Sequence, residues 1–249
     1  VEKIVIDNLR KSFGDKTVLD GINLTVNDGE ILCIIGISGV GKSVILKNLI
    51  GILEPDSGGI YVDGDCYTDA GEEAKRKILA KYGILFQGAA LFDSMNIYDN
   101  VAFGLRRTGV GEDEIKTIVP DMLEHVGLKN VEEKRPSEIS GGMQKRVGLA
   151  RSIAVKPEIM LYDEPTTGVD PITGGAVDRL IMKMREDYGI TSIVVTHDMK
   201  SAVRIADRIA MINKGKIIFD AGPEEFSRTD NPYVRQFVEG RAHGPIAVI

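Results

Sequence analysis

The chain has 249 residues, enough for one large domain or two lobes, and its 27% charged and 43% hydrophobic residues are those of an ordinary globular protein. No stretch approaches the ~20 apolar residues of a membrane-spanning helix, and Asp7, Arg10 and Lys11 interrupt any apolar run that could serve as a signal peptide. The net charge of −6 argues against general nucleic-acid binding, and Cys33 and Cys66 lack metal-ligand spacing, which indicates a reducing, cytoplasmic setting without disulfides.

In chain order, residues 3–9 and 17–26 alternate as short strands split by turns at Phe13-Gly14-Asp15 and Asn27-Asp28-Gly29. Ile31–Ile35 is a continuous apolar run, the pattern of a parallel strand buried on both faces. It runs into Gly36-Ile37-Ser38-Gly39-Val40-Gly41-Lys42-Ser43, after which Val44–Ile50 suit a helix. Ser57–Gly64 is β-rich again, and with the first strands it is expected to form an antiparallel layer. The basic run Lys75, Arg76, Lys77 and Lys81 reads as a solvated helix face. Gly83–Phe86 is a short strand ending at Gln87. From about 89 to 158 the pattern is helical, with helices expected over Asn96–Arg107, Glu112–Val126 and Gly141–Val155. Strands return at Ile159–Tyr162, Thr191–Thr196 and Ile209–Ile212, separated by helical Ile172–Tyr188 and Met199–Ala206. That alternation predicts an α/β sheet with helical crossovers. Residues 223–249 are expected to be a C-terminal tail behind a domain spanning 1–222.

The run from Gly36 to Ser43 fits G-x-x-x-x-G-K-[ST] between a strand and a helix. Its glycines let backbone N–H groups close around phosphate oxygens at a helix N-terminus. Gly36, Ser38, Gly39, Gly41, Lys42, Ser43 and Val44 are the candidate nucleotide contacts. Lys42 is placed to reach the β- and γ-phosphates, and Ser43 to ligate Mg²⁺.

Further features narrow the chemistry. Ile159–Tyr162 ends in Asp163-Glu164, and an acid at the tip of a parallel strand faces a ligand crevice. Asp163 can hold Mg²⁺ and Glu164 can act as general base, although a solvated acidic turn has the same local pattern. Ser140-Gly141-Gly142 opens a helix with an N-cap and exposed N–H groups, a second anion-binding start or an ordinary capped helix. His197 closes a strong β-run, where it can bond a γ-phosphate or be a plain loop histidine. Gln87 can sense Mg²⁺ or the attacking water, or simply end a strand.

Taken in this order, these residues resemble the ATP-binding-cassette (ABC) ATPase family. The matches are the phosphate loop Gly36–Ser43, Gln87, the signature Ser140-Gly141-Gly142, Asp163-Glu164, the loop Gly168-Val169-Asp170 and His197. The resemblance implies an α/β P-loop NTPase (RecA-like) core with an antiparallel β layer and an inserted helical signature subdomain at about 89–158. It implies ATP and Mg²⁺ as cofactors, with Ser43, Gln87 and Asp163 at the metal, and Glu164, His197, Gln87 and Lys42 as catalytic groups. Phe13 stands where the family stacks adenine, though a strand-end Phe can also simply pack. A homodimer is implied, in which Ser140, Gly141 and Gly142 approach the partner's γ-phosphate and Asp170 lies in the dimer loop. Ile139, Met143 and Gly168-Val169 depart from common family residues without touching the expected phosphate contacts.

The stretches 86–105, 140–147, 163–173 and 236–245 look like those of Mla-type ATPases, which serve lipid transporters with a separate permease and an Mce-domain partner at the cytoplasmic face of the inner membrane. An amino-acid-type importer ATPase is the alternative, and a soluble ABC protein acting on nucleic acid or ribosomes a remote one. Two further expectations follow. Ala89–Leu105, carrying Leu91, Phe92 and Met95, should dock the permease, and Glu239–Ile249 should turn away from its own domain to contact the second protomer.

Overall fold

The computed structural model describes residues 1–246. Its strands are β1 (Glu2–Phe13), β2 (Lys16–Asn27), β3 (Ile31–Ile35), β4 (Ser57–Val62), β5 (Asp65–Cys66), β6 (Tyr82–Leu85), β7 (Ile159–Asp163), β8 (Thr191–Thr196), β9 (Arg208–Asn213) and β10 (Lys216–Ala221). The helices are α1 (Lys42–Leu49), α2 (Glu72–Leu79), α3 (Ile97–Arg107), α4 (Glu112–His125), α5 (Gly141–Ala154), α6 (Pro171–Tyr188), α7 (Met199–Ile205), α8 (Pro223–Arg228) and α9 (Pro232–Glu239). The chain forms two compact units, Val1–Leu79 with Thr191–Ile249, and Ala80–Ile190.

In the first unit, β2-β1-β4-β5 make an antiparallel sheet. β1 and β2 are each 12 residues long rather than a set of short strands. Their interior residues change parity midway: Ile4 and Ile6 are buried, then Leu9, opposite Val26, Leu24 and Ile22, after which β2 buries Leu19. A one-residue slip sends every later side chain to the opposite face. The pairing accordingly shifts register between Ile6 and Leu9, at Asn8 with φ 46°. This bulge keeps the apolar residues inward on both sides of it.

In the same unit β3 pairs in parallel with both β8 and β9, and β10 returns antiparallel on β9. All of Ile31–Ile35 is fully buried, as a central parallel strand requires. β10 and the helices α8 and α9 lie in or beside the segment expected to be a tail. Phe226 and Val234 are buried, so residues 223–239 pack as structure.

The segment Glu239–Ile249 departs from its expectation as far as it is described. Gln236 donates through Nε2 to the carbonyls of Arg241 (3.2 Å) and Ile246 (3.0 Å) and accepts from Ile246 N–H at 2.7 Å. Ile246 is buried on its own chain, because the Gln236 amide satisfies the returning backbone. Ala247, Val248 and Ile249 lie outside the described residues.

In the second unit β6 and β7 run parallel, Leu85 beside Tyr162, and α3 and α4 pack on α5. The helices fall within a residue of the ranges expected from periodicity. The starts of α3 and α5 are set by caps: the Asn96 side chain accepts from Asp99 N–H, and the Ser140 hydroxyl from Met143 N–H.

Candidate nucleotide site

In the first unit the strand ends meet at one edge. Ile35 is the register partner of Thr196, so Gly36 and His197 begin the loops that leave neighbouring parallel strands. The loop geometry needs its glycines. A Cβ on Gly36 would lie 2.5 Å from the Ile212 carbonyl oxygen. Gly41 has φ 113°, and a Cβ there would lie 3.0 Å from Leu19 and 3.1 Å from Val18. Between them Ser38 and Gly39 are exposed, and after them Ser43 and Val44 are half-buried.

Lys42 is buried and folds back over the loop, its ammonium donating to the carbonyls of Gly36 (2.8 Å) and Ile37 (3.1 Å). α1 begins at this lysine with no side-chain cap and no acid in its first turn. By contrast α6 is capped by Asp170 and α7 by Asp198. A helix N-terminus carries roughly half a positive charge, so the start of α1 suits an anion. Phe13, at the end of β1, is 48% exposed and lies under the Lys11 ammonium. A ring this open is accessible for stacking.

In the second unit the register Leu85–Tyr162 brings Gln87 and Asp163-Glu164 to the same end of β6 and β7. Gln87 is exposed, Asp163 half-buried and Glu164 buried. Glu164 has φ 51°, a left-handed conformation that costs a non-glycine residue roughly 1–2 kcal/mol. Thr167 closes the turn, its N–H donating to the Glu164 carbonyl at 3.2 Å and its hydroxyl to the Glu164 carboxylate at 3.1 Å. Ser140 and Gly141 are exposed at the start of α5, and a Cβ on Gly142 would meet Thr173 Cγ2 at 2.6 Å. Asp170 is exposed and accepts from Ile172 and Thr173.

The loop after Gln87 is held from below. Ala89 and Ala90 both have positive φ, and Arg151 of α5 donates to both carbonyls at 2.8 and 2.7 Å. Burial pushes the Arg151 guanidinium below its ordinary pKa. Asn100, fully buried, bonds Phe92 through both N–H and carbonyl, and also the carbonyls of Met95 and Asn96. Phe92 is left 39% exposed, while Leu91 and Met95 are half-buried. Sequence reasoning missed Arg151, Thr167 and Lys145, whose ammonium contacts the carbonyls around Glu164. One available signal was a lysine on the helix face that also carries the small residues Gly148 and Ser152.

A strand, a glycine loop around a buried lysine, an uncapped helix start and carboxylates at parallel strand tips define a P-loop nucleoside triphosphatase. The profile of the family described as "ABC transporter" matches residues 19–167, and the chain belongs to that family. It is an ATPase of the ABC type. Over 246 residues it is 42% identical to the "Probable ribonucleotide transport ATP-binding protein mkl" of Mycobacterium tuberculosis, covering 98% of this chain and 68% of that protein. Over 244 residues it is 39% identical to the "Intermembrane phospholipid transport system ATP-binding protein MlaF" of Haemophilus influenzae, covering 98% of this chain and 92% of that protein. Among solved structures it resembles a dimeric ATP-binding cassette in a post-hydrolysis state bound to ADP and Pi, with TM-score 0.81 and 30% identity over 88% of this chain and 98% of that one.

Proposed function

We propose that this chain is the ATPase subunit of a transporter of phospholipid or another hydrophobic molecule, acting as a homodimer beneath a separate membrane permease with an Mce-domain partner. The observation that carries the lipid reading is the nearly end-to-end match to MlaF, 98% of this chain against 92% of that one. The mkl protein, named for ribonucleotide, extends well beyond the shared region. Among the described residues no helix is long and apolar enough to cross a membrane; in this reading the transmembrane path is the permease's. The proposed location is the cytoplasmic face of the inner membrane, with the segment 89–105 and its exposed Phe92 as the permease dock.

Within this reading Phe13 stacks the adenine, the N–H groups of Gly36–Val44 hold the phosphates, and Lys42 exchanges its loop carbonyls for β- and γ-oxygens. Ser140, Gly141 and Gly142 contact the nucleotide of the partner protomer, and Asp170 lies in the dimer loop. Glu164 accepts a proton from the attacking water, which His197 and Gln87 orient. Ser43, Gln87 and Asp163 offer the hard oxygen donors that suit Mg²⁺, an ion usually held by one or two protein oxygens together with substrate phosphates. When bound, that ion would supply charge neutralisation at the β- and γ-oxygens.

Two measurements test the proposal. Affinity purification of the full chain from membranes should bring down a permease and an Mce-domain protein; recovery of a solute-binding protein instead would establish the importer alternative. Glu164→Gln should retain ATP binding, lose nearly all turnover and accumulate as a closed dimer. Turnover within a few-fold of wild type would remove Glu164 as the base.

A further inference from the structure

α5 carries a buried ammonium on a face that is otherwise close-packed. A Cβ on Gly148 would lie 2.9 Å from Leu85 Cδ1, and the Ser152 hydroxyl donates to the Ile84 carbonyl at 2.7 Å. Lys145, on the same side of the helix, is 7% exposed. Its Nζ donates to the carbonyls of Pro165 (2.8 Å), Thr167 (2.6 Å) and Glu164 (3.3 Å). An ammonium has three donors and no acceptor, so three carbonyls use its full capacity. Burying such a charge is costly unless every donor is used. Burial pushes the Lys145 pKa below its ordinary value, and the nearby Glu164 carboxylate opposes that shift.

The three carbonyls belong to one turn, which starts at Glu164 with φ 51° and is closed by the Thr167 N–H. Converging carbonyl dipoles and a left-handed residue both disfavour this turn, and a cation at its centre offsets both. Lys145 stands five residues beyond Ser140, roughly 7.5 Å along the helix at 1.5 Å per residue. The lysine therefore links the first turns of α5 rigidly to the backbone that carries the Glu164 carboxylate.

We propose that Lys145 is a positioning residue for Glu164, fixing that carboxylate relative to Ser140-Gly141-Gly142. The proposal rests on the reading of Glu164 as general base and of Ser140–Gly142 as a contact to the partner's nucleotide. On that reading a displacement of α5 by the nucleotide of one site resets the base of the other.

The test uses the full chain as wild type, Lys145→Met, Lys145→Gln and Lys145→Arg. Without nucleotide, Lys145→Met should raise hydrogen exchange at 164–170, including the Thr167 amide, by about tenfold, the equivalent of one charge-assisted hydrogen bond. Exchange in 191–196 should stay as in wild type. Turnover should fall by about tenfold or more while affinity for a fluorescent ATP analogue changes by less than about twofold, and Lys145→Arg should recover most of the loss. If Lys145→Met does not fold, Lys145→Gln, which keeps a shorter donor, is read by the same criteria. Wild-type exchange at 164–170, or affinity falling in step with turnover, overturns the proposal. The exchange result stands apart from catalysis: if Glu164→Gln retains turnover the base reading fails, while exchange still decides whether Lys145 holds the turn.

Discussion

The hydroxyl of Thr167 donates to Oε2 of Glu164 at 3.1 Å, three residues along a turn that its own N–H helps to close. In the proposed role of Glu164 as general base its lone pair must point at the water, and this bond restricts rotation of a carboxylate that is already buried. Thr167→Val keeps the shape and removes the donor. A hydrogen bond to a charged group contributes about 1.5–3 kcal/mol, so turnover should fall on the order of ten- to a hundredfold with ATP affinity unchanged. Thr167→Ser should behave as wild type. Steady-state kinetics beside nucleotide titration check this, and a Val variant with full turnover would show that the bond is incidental.

Asp170 predicts a pH effect. The Thr173 hydroxyl and then its N–H, together with that of Ile172, hold the Asp170 carboxyl below its ordinary pKa of 3.8. A depressed folded-state pKa stabilises fully above the ordinary value, and the contribution is lost as pH falls through the folded-state value. Asp170→Asn keeps an acceptor at the cap of α6 but not the charge. The melting temperature of wild type should exceed that of the variant by a constant margin near neutrality. That margin should shrink as the pH drops below about 4. A margin that widens in acid would assign the stabilisation elsewhere.

The C-terminal segment predicts a stability effect opposite to that of an arm reaching a partner. A Cβ on Gly244 would lie 2.4 Å from the Gln236 amide, so the chain presses directly on that side chain. Deleting residues 240–249 leaves the Gln236 amide without Arg241 and Ile246. Unsatisfied buried groups cost about 1–3 kcal/mol each, or about 2–10 °C in the melting temperature of a chain this size. Gln236→Ala should produce a similar drop. Unchanged melting of the truncated chain would show that the segment contributes nothing to its own unit.

Much of the fold follows from local signals. Ile31–Ile35 is read as a strand because an unbroken apolar run of five residues can bury both faces, and Thr191–Thr196 because it is short and rich in β-branched residues. Asn96 and Ser140 mark helix starts because a short polar side chain can take up an N–H that the helix leaves free. The phosphate loop is legible for the same kind of reason, since its two outer glycines stand where a Cβ would strike neighbouring atoms.

What tertiary structure alone decided lies where side chains meet distant main chain. Lys145 bonds carbonyls 19 to 22 residues away, and Arg151 reaches the carbonyls of Ala89 and Ala90 more than 60 residues back. Every residue type has a carbonyl, so the accepting side of these bonds leaves no mark in the sequence. The parity change at Asn8 is equally silent, because a bulge is set by two strands aligning their apolar faces and not by either strand alone. Ile246 looks like an exposed apolar end in sequence, and only the Gln236 amide, ten residues earlier and turned toward it, makes it part of the core.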